Sequence, residues 1–108
     1  MEFVSTRVGK GASFTDVLLS GPAPDGGLYL PSQWPQFSLD AIGAFSALPY
    51  PEVAYRLMRP FAGDAFSDSE LRADIETAYA GFSHPAVAPL VQLGPDFFLL
   101  ELFHGPTL

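Results

Sequence analysis

The sequence predicts a small α+β domain, with about four short helices and a small sheet. Capping residues stand directly before apolar stretches of helical period, most clearly in "SDSELRADIETAYAGF" (67–82). Short apolar runs are bounded by Gly, Pro and Asp, as in "APDGGLYLP" (23–31) and "LVQLGPDFFLLELF" (90–103). The third observation limits element length: 11 prolines and 10 glycines among 108 residues interrupt the chain too often for a long bundle.

Taken in order, "EFVST" (2–6) alternates weakly and is expected to be a strand. "RVGKGAS" (7–13) reads as a loop. Its Gly9, Lys10 and Gly11 lack the glycine spacing and the Lys-Ser/Thr pair of a phosphate loop. "SFTDVLLSG" (13–21) reads as a short helix. Ser13 is its cap, Asp16 the capping partner, and Phe14, Val17 and Leu18 share one face. Gly21 and Pro22 end it. Residues 24–27 form a turn by residue chemistry, because proline presets φ and glycine accepts positive φ. Leu28, Tyr29 and Leu30 follow as a strand closed by Pro31, and "SQWPQF" (32–37) is a loop pinned by Trp34 and Phe37.

The middle is helical. "SLDAIGAF" (38–45) is a weak helix capped by Ser38, with Gly43 inside. In "PEVAYRLMR" (51–59), Pro51 suits the first helical position. Val53, Ala54, Leu57 and Met58 form its stripe, and Pro60 is expected to stop it. In 67–82, Ser67 and Glu70 make a full capping box. Leu71, Ile75, Ala78, Tyr79 and Phe82 share a face, Arg72, Asp74 and Glu76 lie off it, and Gly81 marks the end. The apolar runs 90–93 and 97–103 flank Gly94, Pro95 and Asp96, and read as a hairpin or two neighbouring strands. No repeat, linker or low-complexity stretch is visible.

Composition then narrows function. Length allows one domain, and 48% hydrophobic residues, including 10 Phe, supply a core. Twelve acidic residues against five basic ones give a net charge of −7. That disfavours nucleic acid and anionic membrane surfaces, both of which need Lys and Arg. There is no cysteine, hence no disulfide, thiolate nucleophile or Cys-bound zinc, and an intracellular, cytoplasmic setting is expected. The start "MEFVSTRVGKG" shows no apolar signal region. "FFLLELF" falls far short of the ~20 residues of a membrane helix.

Few residues suit chemistry. His84, beside a helix end and before Pro85, reads as a capping or packing residue. Glu101 and His104 are spaced to offer two metal ligands, but no third stands nearby, so no metal is expected. Asp64, Asp68 and Glu70 lack the alternation of a calcium loop and suit a helix N-terminus instead. Ser13, Asp16 and His104 have no G-x-S-x-G elbow to make them a triad. The C-terminal stretch is more suggestive. Polar, turn-forming residues directly after an apolar strand lie at its carboxyl end, where open α/β sheets bind ligands. Thr107 is a natural N-cap for a helix starting at Leu108, and helix starts attract anions. An ordinary capped turn is the plainer alternative.

At these residues a family resemblance appears. "LELFHGPTL" (100–108) resembles the threonine synthase segment that leads into the lysine carrying pyridoxal phosphate. "SFTDVLLSGPAPDGGLYLP" (13–31), "YPEVAYRLMRPFAGD" (50–64) and "FSHPAVAPLV" (82–91) are similar to the rest of that family's N-terminal part, in order. The resemblance covers nearly the whole chain.

It implies a fold-type II pyridoxal-phosphate enzyme that converts O-phosphohomoserine and water to threonine and phosphate. Residues 1–93 would be its N-terminal domain and 94–108 the start of the cofactor domain. His104, Gly105, Pro106 and Thr107 would line the cofactor pocket. In the family, Ala-Phe-Lys-Asp follows the position of Leu108, so the chain's apolar ending is expected to be a cut. Lys10 matches nothing catalytic. The segment alone is therefore expected to hold no cofactor and to be inactive. It is expected to pack against the catalytic domain, and to self-associate when alone through an open strand edge. "APDGGLYLP" (23–31) is a candidate for that packing surface or a turn internal to the domain's own sheet. Two other readings stay open. One is a threonine-synthase-like phospho-lyase acting on a related phosphorylated amino compound. The other is a stand-alone acidic interaction module.

Overall fold

The structure, a computed structural model, describes residues 1–106. Its first unit is a three-stranded antiparallel sheet in the order β2-β1-β3, with β1 Glu2–Ser5 in the centre, β2 Gly11–Ser13 and β3 Tyr29–Pro31. Phe3 is opposite Ala12 on one side and Pro31 on the other, and Ser5 is opposite Tyr29. The strand β2 lies where a loop was expected. Three residues with a glycine carry no alternation to read. What makes them a strand is the open edge of β1.

Ser13 ends that strand and also caps α1 Phe14–Ser20. An N-cap residue is extended, with φ −76° and ψ 164° here, so one residue serves both elements. The capping box is complete: the Asp16 N–H donates to Ser13 Oγ, and the Ser13 N–H donates to Asp16 Oδ2. Phe14 points back into the domain, its ring 6.0 Å from Phe3 and 6.2 Å from Phe66. Leu18, expected on the same face, is exposed.

The turn before β3 is locked by polar contacts. Both Asp25 oxygens accept hydrogen bonds: Oδ1 from Ser5 Oγ at 2.8 Å and the Gly27 N–H at 2.8 Å, Oδ2 from the Val8 N–H at 3.1 Å. The Gly27 N–H and then the Ser5 hydroxyl hold the Asp25 carboxyl below its usual range. Gly26 sits at φ 78°, and Gly27 is buried against the side chains of Ser5, Thr6 and Asp25. The turn is thus internal to the sheet; Leu28 and Leu30 beside it are exposed.

The second unit is helical. After α2 Leu39–Ala44, capped by Ser38, and a 3-10 turn at Phe45–Ala47, α3 Tyr50–Ala62 packs on α4 Asp68–Ala80. Ala54 and Ala62 of α3 are buried with Leu71 and Ile75 of α4; Phe14, Tyr55, Phe66 and Tyr79 close the margin. Leu57 and Met58, expected in the stripe, are exposed. Pro60 does not stop α3, which runs on to Ala62. Proline removes one helical N–H, a loss that packing offsets so near the helix end. Ala62 is only 2% exposed, and the Phe61 ring lies edge-on to Trp34 at 6.2 Å. Ser67 and Glu70 form the expected capping box of α4.

Charged groups brace the helix pair. Glu52 accepts from Arg56 at 2.8 Å and from Arg72, whose guanidinium lies over the Tyr55 ring. Arg59 reaches the Phe66 carbonyl at 2.7 Å and Asp68 at 3.0 Å, closing the α3–α4 connection. The chain ends in a hairpin of β4 Leu90–Gly94 and β5 Phe97–Leu100, turning at Pro95 and Asp96. Its apolar side chains are exposed: Leu90, Leu93, Phe97, Phe98 and Leu100 on the strands, Leu102 and Phe103 beyond. Among the described residues, no helix is long and apolar enough to cross a membrane.

Two glycines test this account. A Cβ at Gly27 would stand 3.0 Å from both Asp25 Oδ1 and Thr6 Oγ1, and closer still to Ser5 Oγ. Gly27→Ala is expected to destabilise by about 1–3 kcal/mol in urea denaturation. Gly43, inside α2, faces open space. Gly43→Ala is expected to stabilise by up to about 1 kcal/mol, and a reversed order would contradict the turn's packing. Glu52 gives a pH test. Hydrogen bonds from Arg72 and then Arg56 pull its carboxyl from 4.5 to about 2. A carboxyl depressed in the fold stabilises above its unfolded pKa, and that contribution is lost as pH falls through the folded value. Stability should therefore drop between pH 4.5 and about 2, less steeply in Glu52→Gln. Equal acid slopes in the two proteins would remove Glu52 from the account.

Candidate functional site

The ladder of the hairpin ends where the Glu101 N–H donates to the Pro89 carbonyl at 3.0 Å. From there the chain leaves the strand and passes the exit of α4. That helix stops at Ala80, and the residues after it meet the residues after β5. The His104 carbonyl accepts from the Ser83 N–H at 2.9 Å and from Ser83 Oγ at 3.2 Å. The Gly105 backbone lies against the Phe82 ring, so a Cβ there would stand 2.9 Å from Phe82 Cζ. Absence of a side chain is what permits this approach.

The His104 ring is held on several sides. Nε2 is 2.7 Å from Glu101 Oε2. An ionised carboxylate only accepts, so with Glu101 ionised Nε2 carries the proton of this bond. The His84 ring lies 4.9 Å away at 46°, and the Phe103 ring 4.7 Å away on the chain side. His84 is fixed in turn, because its Nδ1 accepts from the Ala86 N–H at 3.0 Å. Glu101 and His104 are both partly buried, whereas Pro106 is exposed. The arrangement is an oriented imidazole beside a bare glycine backbone at the end of a strand.

Of the expected site residues, the structure places His104 and Gly105 together and Pro106 next to them. Thr107, and the helix start expected at Leu108, lie outside the described residues. Glu101 and His104 meet as their spacing suggested, and among the described residues no third His, Cys, Asp or Glu joins them in a metal-binding group. Ser13 and Asp16 are engaged with each other in the α1 capping box. Lys10 lines an open cleft of about 410 Å³ with Asp16, Asp25 and Tyr29. Its acidic wall is a poor phosphate cradle. The residues that sequence reasoning missed are Ser83 and the contact role of His84. Twenty-one positions separate Ser83 from His104, and no local pattern links them.

The family profile described as "Threonine synthase N terminus" matches residues 2–79. Threonine synthase of Pseudomonas aeruginosa is 49% identical over 109 aligned residues, spanning 100% of this chain and 23% of that protein. Human threonine synthase-like 2 is 38% identical, spanning 99% of this chain and 22% of that protein. Among solved structures, the pyridoxal-phosphate-bound threonine synthase of Brucella melitensis superposes with a TM-score of 0.87 at 45% identity. That match spans 98% of this chain and 23% of the Brucella chain. The chain thus spans about a quarter of the length of the relatives it matches. By its profile, its sequence and its fold, it belongs to the threonine synthase family and corresponds to that family's N-terminal part.

Proposed function

We propose that the chain is the N-terminal segment of an enzyme that converts O-phosphohomoserine and water to threonine and phosphate with pyridoxal phosphate. The observation that carries this reading is the ordered turn at His104 and Gly105, at the carboxyl end of β5 and within the motif "ELFHGPT". His104, Gly105, Pro106 and Thr107 line the cofactor pocket in this reading. The donor set fits lining rather than phosphate binding: an imidazole and a glycine backbone, with no guanidinium or ammonium in 101–106. The four arginines are occupied elsewhere, on Asp25, Glu52, Phe66 and Asp68. When bound, the cofactor supplies an electron sink for carbanions at Cα and Cβ. This chain's part is to hold the His104 ring and the Gly105 backbone in place and to keep water from that side.

In this reading the change from 1–93 to 94–108 falls at the last residue of β4, so the first unit supplies all but that residue of β4 and the second supplies β5. The exposed apolar side chains of that hairpin suit burial against the catalytic domain. In isolation the same strands present open edges, through which the segment self-associates. A second reading, a phospho-lyase acting on another phosphorylated amino compound, is favoured by the 38% identity to human threonine synthase-like 2.

The test is made on the full-length gene product. With pyridoxal phosphate and O-phosphohomoserine, it is expected to release threonine and phosphate in equal amounts. Phosphate released only from other phosphorylated amino compounds selects the second reading, and absence of cofactor binding leaves a non-catalytic interaction module. For residues 1–108 alone, borohydride reduction with the cofactor is expected to give no stoichiometric adduct. A single-site label on Lys10 would overturn that expectation.

A further inference from the structure

We propose that Ser83 and His84, just beyond α4, are positioning residues that set the orientation of His104 and the peptide joining it to Gly105. This rests on the reading of residues 104–107 as lining the cofactor pocket.

A residue after a helix ordinarily serves the helix end. Here that work is done without Ser83 and His84. The Gly81 and Phe82 N–H groups donate to the Tyr79 carbonyl. Ser83 directs both of its donors, the backbone N–H and Oγ, to one acceptor, the His104 carbonyl. In a trans peptide, the N–H points opposite to the preceding C=O. Two donors that hold the His104 carbonyl toward α4 therefore turn the Gly105 N–H away from it. The same two residues thus fix a backbone donor and, through His84, one side of the His104 ring. Phe82 completes the seat by lying where a side chain on Gly105 would stand.

The loop carrying His84 is also strained. Val87 has φ 60° and is buried. A β-branched residue at positive φ is a true outlier, held only where the surroundings over-determine it. Those surroundings are the Val87 N–H to the His84 carbonyl at 2.9 Å and the Ala86 N–H to His84 Nδ1 at 3.0 Å. Both contacts close on His84, so the strained turn and the fixed imidazole are one device.

The test uses the full-length enzyme loaded with pyridoxal phosphate, as wild type, Ser83→Ala, His84→Ala and His84→Phe. Readouts are cofactor content, the pH midpoint of the cofactor's visible absorbance, kcat, KM and the urea midpoint. Ser83→Ala and His84→Ala are expected to keep full cofactor content, shift the absorbance midpoint and lower kcat about tenfold, with KM little changed. His84→Phe, which keeps a flat ring against His104 but loses the acceptor for the Ala86 N–H, is expected to recover part of both. Variants that lose urea stability but keep the absorbance midpoint and kcat would reduce both residues to structural supports and overturn the proposal. If His84→Ala does not fold, Ser83→Ala decides, because it removes one hydroxyl and keeps the backbone contact. A wild-type enzyme that binds no cofactor overturns this inference together with the reading beneath it. A loaded wild type with unaffected variants overturns this inference alone.

Discussion

Two alanines set the geometry on which the molecule depends. Ala54 and Ala62 carry the buried face of α3, and small side chains let α4 bring Leu71 and Ile75 in close. The sheet meets the helices through Phe14, whose ring lies between Phe3 on β1 and Phe66 beside α4. Further along α4, the Tyr79 ring meets Tyr50 edge-on and Phe82 at a tilt. Phe82 in turn seats Gly105. Tyr50 of α3, Tyr79 of α4 and Phe82 thus form a row of ring contacts that runs from the helix pair to Gly105. The buried apolar set is small for 108 residues, so caps, ion pairs and turn hydrogen bonds carry much of the local definition.

The charge distribution fits this division of labour. Four of the five cationic side chains are arginines, and each contacts an acceptor within the chain. They brace the α3–α4 pair and the Asp25 turn. The charge left over is acidic, with a net of −7. In the proposed reading, such a segment contributes shape and an oriented imidazole to a site for phosphorylated molecules, and leaves the binding of phosphate to other parts of the protein.

Much of the fold was legible because helix starts are local chemistry. Ser13 with Asp16, Ser38, and Ser67 with Glu70 cap as their spacing indicates. Turns were legible for the same reason, at residues 24–27 and at Pro95 and Asp96. What escaped was set by tertiary context. Pro60 stays helical because packing at Ala62 and Phe61 outweighs one lost hydrogen bond. Leu57 and Met58 follow the helical period yet are exposed, while alanines fill the core. The strand at Gly11–Ser13 exists only because β1 offers it an edge. At the site, the Glu101 and His104 spacing was readable, whereas the approach of Ser83 and His84 joins two distant segments and leaves no mark in either.

The exposed hairpin has a consequence for the order of events during synthesis. Residues 1–108 correspond to the first quarter or so of their relatives. In a protein of that length, Phe97, Phe98 and Leu100 leave the ribosome long before the remaining three quarters exist. At about 5–20 residues per second, the wait lasts tens of seconds. Through that interval a greasy ribbon with two open edges stands in solution among other nascent chains. The acidic surplus of the segment gives neighbouring copies a mutual repulsion during the wait. The same negative charge that makes the segment a poor host for phosphate opposes, at that stage, the edge-to-edge pairing that its open strands invite.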